Sequence, residues 1–306
     1  MSAIKLERVT KSYGRSRGVS DLDLTVERGE LYGFIGPNGA GKSTTIRMIM
    51  QLTAPSAGSL AVLGTPLRGE QPELRRRIGY LPSEIALSPD MTGRQALELA
   101  AAAYGRRLRD TPAAAYAERL QWDMDKRVKS YSLGNRKKLG IVLSLLHTPE
   151  LLILDEPTSG LDPLIQRELF DLLAELNRRT GMTVFFSTHV LSEVEKVCGR
   201  VAFIRDGKLI RVSRVDELAG KGDHIVEVRF AAEGDRREEY GLARIDGSAE
   251  YENGLHRLRS GSRLQETLSL LASLPVEDVT IRRPTVEELF MDDYREQPAS
   301  EGGRNG

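Results

Sequence analysis

Short apolar runs alternate along the chain with longer segments in which apolar residues recur at helical spacing. Two of the runs are Leu31–Ile35 and Leu151–Leu154. Runs without polar interruption are typical of strands in a parallel sheet, because helices cover both faces of such a sheet. Between residues 139 and 146, apolar side chains recur at i, i+3, i+4 and i+7, which predicts a helix with one buried face. The pattern predicts an α/β core.

Other segments add elements around that core. Ile4–Val9 and Leu22–Val26 alternate between apolar and polar residues, as half-exposed strands do. From Thr92 to about Leu146 the composition becomes Ala-rich and helical, which predicts a helical insert over about residues 84–147. Val201–Ile210 is predicted to be a hairpin, because an Asp-Gly pair in its middle favours a tight turn.

The composition changes near residues 219–222, where two glycines flank a lysine. We therefore predict a first domain over residues 1–220 and a small α+β accessory domain over residues 221–295. Within the second domain, apolar alternation predicts strands at 224–230 and 276–282, and leucine spacing predicts a helix around residues 264–271. Residues 296–306 are polar and Gly-rich, which is typical of a disordered tail.

Charge and cysteine content exclude several classes of protein. The 306 residues include 44 basic and 44 acidic side chains, so the chain as a whole has no attraction for nucleic acid. A single cysteine, Cys198, excludes a disulfide scaffold and favours a reducing compartment. The first residues lack the apolar centre of a signal peptide, and no apolar run approaches the roughly 20 residues of a membrane span. We expect a soluble cytoplasmic protein that needs a partner chain for any membrane work.

A glycine-rich segment joins the first apolar run to a predicted helix. In a strand–turn–helix context, glycines let successive backbone N–H groups point into one concavity, and the helix adds its positive dipole end. Lys42 is expected to reach the β- and γ-phosphates, and the Ser43 hydroxyl to bind Mg²⁺. The segment therefore predicts a nucleoside triphosphate site. Its residues are Gly36, Pro37, Asn38, Gly39, Ala40, Gly41, Lys42, Ser43 and Thr44.

Such a loop by itself fits kinases, GTPases and many motor proteins. The acidic residues further along the chain distinguish between these classes. Asp155 and Glu156 follow a buried strand, at the sheet edge where open α/β sheets collect their ligands. Asp155 is expected to hold Mg²⁺ through water, and Glu156 to orient and deprotonate the attacking water. His189, just past a neighbouring strand, can donate to the γ-phosphate.

In this order the motifs resemble the ATP-binding subunit of an ABC transporter. The resemblance covers roughly residues 1–220, and residues 221–295 resemble the carboxy-terminal extension of exporter-type subunits in the drug, antibiotic and polysaccharide branch. It implies a P-loop NTPase core with a mixed sheet, an antiparallel β subdomain and a helical insert. The motifs are Gly36–Thr44, Tyr131–Asn135, Leu151–Glu156, Ser159–Asp162 and His189.

The resemblance also implies roles for residues that pattern alone does not assign. Tyr13 matches the aromatic residue that stacks on adenine. Ser132 and Gly134 match the signature loop, which contacts the γ-phosphate of ATP held by the opposite subunit. Asp162 matches the loop that crosses to the partner's phosphate loop. Two subunits would then close head to tail on two ATP molecules.

The chain departs from the usual family pattern in the signature loop and at one further position. The signature loop, usually Leu-Ser-Gly-Gly-Gln, is Tyr-Ser-Leu-Gly-Asn over Tyr131–Asn135, so Leu133 replaces the first glycine while Ser132 and Gly134 are present. Ser83 stands where the family usually has a glutamine that touches Mg²⁺ and senses the membrane subunit. Because serine is shorter, it would reach the metal only through water or by loop movement.

The resulting hypothesis is an ATP-hydrolysing motor with ATP and Mg²⁺ as cofactors. It would pair with a second ATP-binding subunit and drive an integral membrane permease, as an exporter, from the inner face of the cell membrane. No nucleic-acid ligand is expected. One alternative is a soluble ABC-type ATPase that acts on nucleic acid or ribosomes, although such proteins usually carry two cassettes or a long coiled coil. Another is a degenerate cassette that pairs with ATP and hydrolyses it slowly.

Overall fold

The computed structural model describes residues 1–14, 16–218, 224–232, 234–282 and 284. The chain forms two units, one spanning Met1–Arg214 and one that begins at Val215. The predicted boundary at residue 220 and the predicted tail at 296–306 lie outside the described residues. No helix in the described ranges is long and apolar enough to cross a membrane.

Strands and helices alternate through the first unit and form a small mixed unit after it. The strands are β1 (Ser2–Tyr13), β2 (Ser16–Glu27), β3 (Leu31–Ile35), β4 (Ala57–Val62), β5 (Thr65–Pro66), β6 (Ile78–Leu81), β7 (Leu151–Asp155), β8 (Thr183–Thr188), β9 (Arg200–Arg205), β10 (Lys208–Arg214), β11 (Ile225–Phe230), β12 (Glu250–Glu252), β13 (Leu255–Arg259) and β14 (Val276–Arg282). The helices are α1 (Lys42–Ile49), α2 (Pro72–Arg75), α3 (Gly93–Ala103), α4 (Ala113–Arg119), α5 (Leu133–Leu145), α6 (Pro163–Thr180), α7 (Leu191–Val197), α8 (Val215–Leu218), α9 (Leu242–Ile245) and α10 (Leu264–Leu271).

The central sheet has the strand order β10-β9-β3-β8-β7-β6. Strands β9, β3, β8, β7 and β6 run parallel, and β10 joins β9 as an antiparallel edge strand. Every residue of β7 and β8 is buried, as their apolar sequences predict. Since parallel strands end at one edge, the loops after β3, β6, β7 and β8 gather there.

A second sheet of the first unit is antiparallel, with the order β2-β1-β4-β5. Helices α3, α4 and α5 form the insert between β6 and β7. The α/β core, the antiparallel β subdomain and the helical insert are thus confirmed. Tyr13 is the last residue of β1, because β1 and β2 stay paired as far as Tyr13 and Ser16.

Local side-chain chemistry sets several helix starts. Thr92 and Gln95 form a reciprocal capping box at the start of α3. The Asp162 carboxylate accepts hydrogen bonds from two backbone N–H groups at the start of α6, and that helix ends at Gly181 in the left-handed conformation. These caps satisfy backbone groups that a helix terminus leaves without partners.

The second unit contains the antiparallel sheet β12-β13-β11-β14. Strands β11 and β14 and helix α10 lie within a residue of their predicted bounds. The β12–β13 hairpin was missed, although Asn253-Gly254 between its strands is a strong hairpin signal. Both residues have a positive φ, as a tight turn of this kind requires. The hydrophobic core of this unit is formed by Val226, Val228, Phe230, Leu242, Ile245, Ala249, Leu258 and Leu271.

Phe185 of β8 lies at the centre of the main sheet, and its replacement by alanine should strongly destabilise the first unit. Its ring packs on those of Tyr32 and Phe34, with centroid distances of 6.0 and 5.4 Å. Because the side chain is fully buried, Phe185→Ala should lower the free energy of unfolding by roughly 3–5 kcal/mol. Chemical denaturation followed by circular dichroism measures the change. Leu99→Ala on the exposed face of α3 is the control, with an expected change within about 0.5 kcal/mol.

Candidate functional site

The predicted phosphate loop, which we call the phosphate loop below, connects the end of β3 to the start of α1. Gly39 and Gly41 have φ values of 81° and 108°, in the left-handed region that glycine adopts without strain. Lys42 is only 6% exposed. Its Nζ donates to the carbonyl oxygens of Gly36 and Pro37 at 2.6 and 3.2 Å, so the backbone of the loop turns around the ammonium.

Asp155, the last residue of β7, is 2% exposed and forms a hydrogen bond with the neighbouring strand. The Ser187 hydroxyl donates to its Oδ1 at 2.6 Å. The two residues are direct partners in the β7–β8 register, so the pairing of the strands brings them together. We missed Ser187 from the sequence, since only the register of the sheet shows that it faces Asp155.

Glu156 lies where two candidate catalytic side chains converge. Its Oε1 is 3.3 Å from the Lys42 Nζ, and its Oε2 is 2.7 Å from the His189 Nδ1. Glu156 has a positive φ of 52°, a sparsely populated conformation for a residue with a side chain. Such strain is often found at functional sites. The structure thus brings together three residues that are far apart in the sequence.

A cavity of about 300 Å³ opens beside these residues. Glu156 and the phosphate loop form most of its wall, and Ser83 from the loop after β6 completes it. The lining residues are Asn38, Gly39, Gly41, Lys42, Ser43, Thr44, Ser83 and Glu156. Gly36, Pro37 and Ala40 do not line the cavity; Ala40 is buried, and its N–H donates to the Pro37 carbonyl within the turn. Asp155 does not line it either.

The donor set fits Mg²⁺ rather than a transition metal. Within the described ranges, no three His, Cys, Asp or Glu side chains are grouped so that they could hold an ion. Mg²⁺ keeps several waters and takes phosphate oxygens together with one or two protein oxygens, so it needs no such cage. Ser43 and Ser83 at the cavity wall can offer hydroxyl oxygens, and Asp155, which directly precedes the cavity-lining Glu156, can offer a carboxylate, so the set matches that preference.

His189 contacts Glu156 but does not itself line the cavity, and neither do the other four predicted site residues. Ser132 is the exposed N-cap of α5, and its hydroxyl accepts a hydrogen bond from the Asn135 N–H at 3.3 Å. Asp162 caps α6. Tyr13 is 47% exposed, and the Lys11 ammonium lies 5.2 Å from its ring centroid. Gly134 lies against the Gly160 carbonyl.

Two buried charged residues near the site were missed by sequence reasoning. The Lys137 ammonium of α5 donates to the Ser83 carbonyl at 3.0 Å. Burial lowers the pKa of Lys137, while the negative charges of Asp155 and Glu156 act in the opposite direction. The other is Glu193 of α7, which accepts from the Thr188 hydroxyl at 2.7 Å, next to His189. No sequence motif flagged either residue.

This combination of fold and site defines an ATP-binding cassette, and the chain belongs to the family of ABC transporter ATP-binding proteins. The family model described as "ABC transporter" matches residues 19–159. The chain is therefore an ABC transporter ATPase, which binds ATP.

Several characterised relatives support this assignment. The bacitracin transport ATP-binding protein BcrA of Bacillus licheniformis is 37% identical over 74% of this chain and 75% of the relative. The Nod factor export ATP-binding protein I of Rhizobium etli is 36% identical over 72% of each chain. The daunorubicin resistance ATP-binding protein DrrA3 of Streptomyces coeruleorubidus is 34% identical over 98% of this chain and 99% of the relative.

Among solved structures, the chain is similar to cbiO1 of Clostridium perfringens, which is described as part of the ABC transporter complex cbiONQ. The TM-score is 0.60 at 26% identity, and the match covers 71% of this chain and 90% of that one. The likeness extends over most of the cassette fold.

Proposed function

We propose that this chain is the ATP-hydrolysing subunit of an exporter and that two copies close head to tail on two Mg²⁺–ATP molecules. The contact of Glu156 with both Lys42 and His189, beside a cavity lined by the phosphate loop, is the observation that carries the proposal. It puts a candidate base, a phosphate-binding cation and a hydrogen-bond donor at one place.

Within one chain, each group has a separate task. The loop N–H groups and Lys42 bind the β- and γ-phosphates, and Tyr13 stacks on the adenine. Glu156 accepts a proton from the attacking water, and His189 holds that carboxylate by its 2.7 Å contact and donates to the γ-phosphate. The donor set of Ser43, Asp155 and Ser83 would hold Mg²⁺, which supplies positive charge against the developing phosphate charge.

A second copy would complete each site. Ser132 and Gly134 stand at the exposed start of α5, where a helix N-terminus favours an anion, yet neither lines the cavity of its own chain. We therefore assign them to the ATP held by the partner copy, with Asp162 crossing at the same interface. ATP joins the two copies, and hydrolysis removes the γ-phosphate contact that favours the closed state.

Export through a separate membrane subunit is supported by the descriptions of the relatives. One relative, a daunorubicin resistance ATP-binding protein, matches over 98% of this chain, and that alignment includes the second unit. Another relative is described as a Nod factor export protein. The chain would work at the inner face of the cell membrane, bound to a permease.

Substitution of Gly134 tests whether the site is shared. A Cβ at this position would lie 2.5 Å from the Gly160 carbonyl oxygen, so the start of α5 or the neighbouring loop must shift. In a Glu156→Gln background, Gly134→Ala should weaken ATP-dependent pairing by roughly 10- to 100-fold, since overpacking of this kind commonly costs about 1–3 kcal/mol. Sedimentation velocity with Mg²⁺–ATP measures pairing, and titration with a fluorescent ATP analogue measures binding to the single chain, which should be unchanged.

Gly199→Ala is the matched control, because a Cβ there meets no atom within 4 Å and the backbone is not left-handed. It should pair as the parent does. Equal pairing by both alanine variants would contradict the shared site, as would a parent protein that stays monomeric with ATP bound.

A further inference from the structure

Helix α5 lies in close contact with β6 and the loop that follows it. Lys137, Gly140 and Ser144 are spaced i, i+3 and i+7, so they share one face of the helix. A Cβ added at Gly140 would overlap the side chains of Leu81 and Ile85, and one added at Gly79 would overlap the Ser144 carbonyl. Glycines on the helix and on the strand therefore let the two elements approach closely, and a larger residue at either position would clash.

Lys137 lies on this face, nearest the nucleotide site. It is 2% exposed, and its Nζ donates to the backbone carbonyl of Ser83 at 3.0 Å. A buried ammonium is costly unless it is paired, and here the fields of Asp155 and Glu156 also favour the charged form. The Ser83 loop is thus attached to α5 by a hydrogen bond from a buried, charged side chain.

We propose that Lys137 is a positioning residue that joins the Ser83 loop, at the metal side of one ATP site, to the helix that begins at Ser132. This inference rests on the proposed function, in which the Ser132 end of α5 covers the ATP of the partner copy. Lys137 lies about 7.5 Å along the helix axis from Ser132, at 1.5 Å per residue, so Lys137 and the start of the helix move together. A displacement of the signature loop, which covers the ATP of the partner copy, is then transmitted to the Ser83 loop at the ATP site of its own chain.

The neighbouring Lys138 offers a matched comparison. It is also buried on α5, but its Nζ donates to the Gln121 carbonyl at 3.4 Å, within the helical insert. Burial lowers its pKa too, and the charge that opposes this effect is that of Asp162 rather than Asp155 or Glu156. Loss of Lys138 therefore removes a buried ammonium from the same helix without releasing the Ser83 loop.

Cleavage by a glutamate-specific protease can report directly on the hydrogen bond between Lys137 and the Ser83 carbonyl, since Glu84 is exposed and follows Ser83. In Lys137→Met, the rate of cleavage after Glu84 should rise roughly 10- to 100-fold, the change expected when a loop loses a hydrogen bond to a charged donor. Cleavage after Glu118 in α4, followed by mass spectrometry in the same digest, corrects for global unfolding. Lys137→Gln keeps a donor without the charge and should be intermediate, and Lys138→Met should match the wild type.

Nucleotide assays provide the second readout. Lys137→Met should bind the fluorescent ATP analogue as the wild type does, while its kcat falls at least about tenfold, and Lys138→Met should lose less than about twofold. Unchanged cleavage after Glu84 in Lys137→Met would overturn the proposal, and so would equal effects of the two methionine variants. Absence of ATP-dependent pairing in Glu156→Gln would refute the proposed function instead. The rate of cleavage after Glu84 relative to that after Glu118 would still decide the role of Lys137.

Discussion

Glu156→Gln should lower ATP hydrolysis by roughly 10²–10⁴-fold while leaving ATP-dependent pairing intact. The glutamine amide has nearly the shape of the carboxylate but cannot accept a proton from water. The Glu156 carboxylate lies 3.3 Å from the Lys42 Nζ and 2.7 Å from the His189 Nδ1. No other carboxylate among the described residues makes both contacts. Phosphate release measures turnover, and sedimentation velocity with Mg²⁺–ATP measures pairing.

Glu150→Gln provides the matched control for that substitution. Glu150 immediately precedes β7, whereas Glu156 immediately follows it, so the two lie at opposite ends of the same strand. Its exposed carboxylate pairs with Arg77 at 2.6 Å, an interaction at the surface that contributes little to stability. Hydrolysis by Glu150→Gln should stay near the wild-type rate. Normal turnover in Glu156→Gln would exclude Glu156 as the base and leave the proton to another acceptor.

Parts of the site that are contiguous in the chain could be predicted from sequence. The phosphate loop is a single segment with its own strand and helix, so glycine spacing and apolar pattern suffice to place it. Asp155 and Glu156 were predictable for a similar reason, because an uninterrupted apolar strand points to the sheet edge where they stand. The fold class followed from the same strands and helices, and the structure confirms it.

Contacts that depend on tertiary packing could not be predicted in this way. Ser187 faces Asp155 only because β7 and β8 pair in one particular register. Lys137 reaches Ser83 because small residues let α5 approach β6, and a lysine in a predicted helix gives no sign of this by itself. The sequence did not show that the Asp162 carboxylate caps α6, so the interface role that we propose for it must coexist with two hydrogen bonds to its own helix.

Lys42→Ala should lower the affinity for ATP by at least about 30-fold. The ammonium donates to two loop carbonyls and contacts Glu156, so its loss removes the phosphate-binding charge and leaves those acceptors without their partner. Truncation of one member of a buried charged pair commonly costs about 2–5 kcal/mol, which corresponds to a loss of affinity of roughly 30- to several-thousand-fold. Isothermal titration calorimetry with Mg²⁺–ATP gives the dissociation constant of each variant.

Lys208→Ala separates the local effect of Lys42 from a general loss of positive charge. Lys208 is exposed and begins β10, and it does not line the cavity. Its replacement should leave ATP affinity within about twofold, because exposed charges are well screened at physiological salt. If Lys42→Ala bound ATP as tightly as Lys208→Ala, with both folded by circular dichroism, the assignment of Gly36–Thr44 as the phosphate loop would be wrong. Since Glu156 is placed by its contact with the same ammonium, the proposed catalytic arrangement would then lose its support as well.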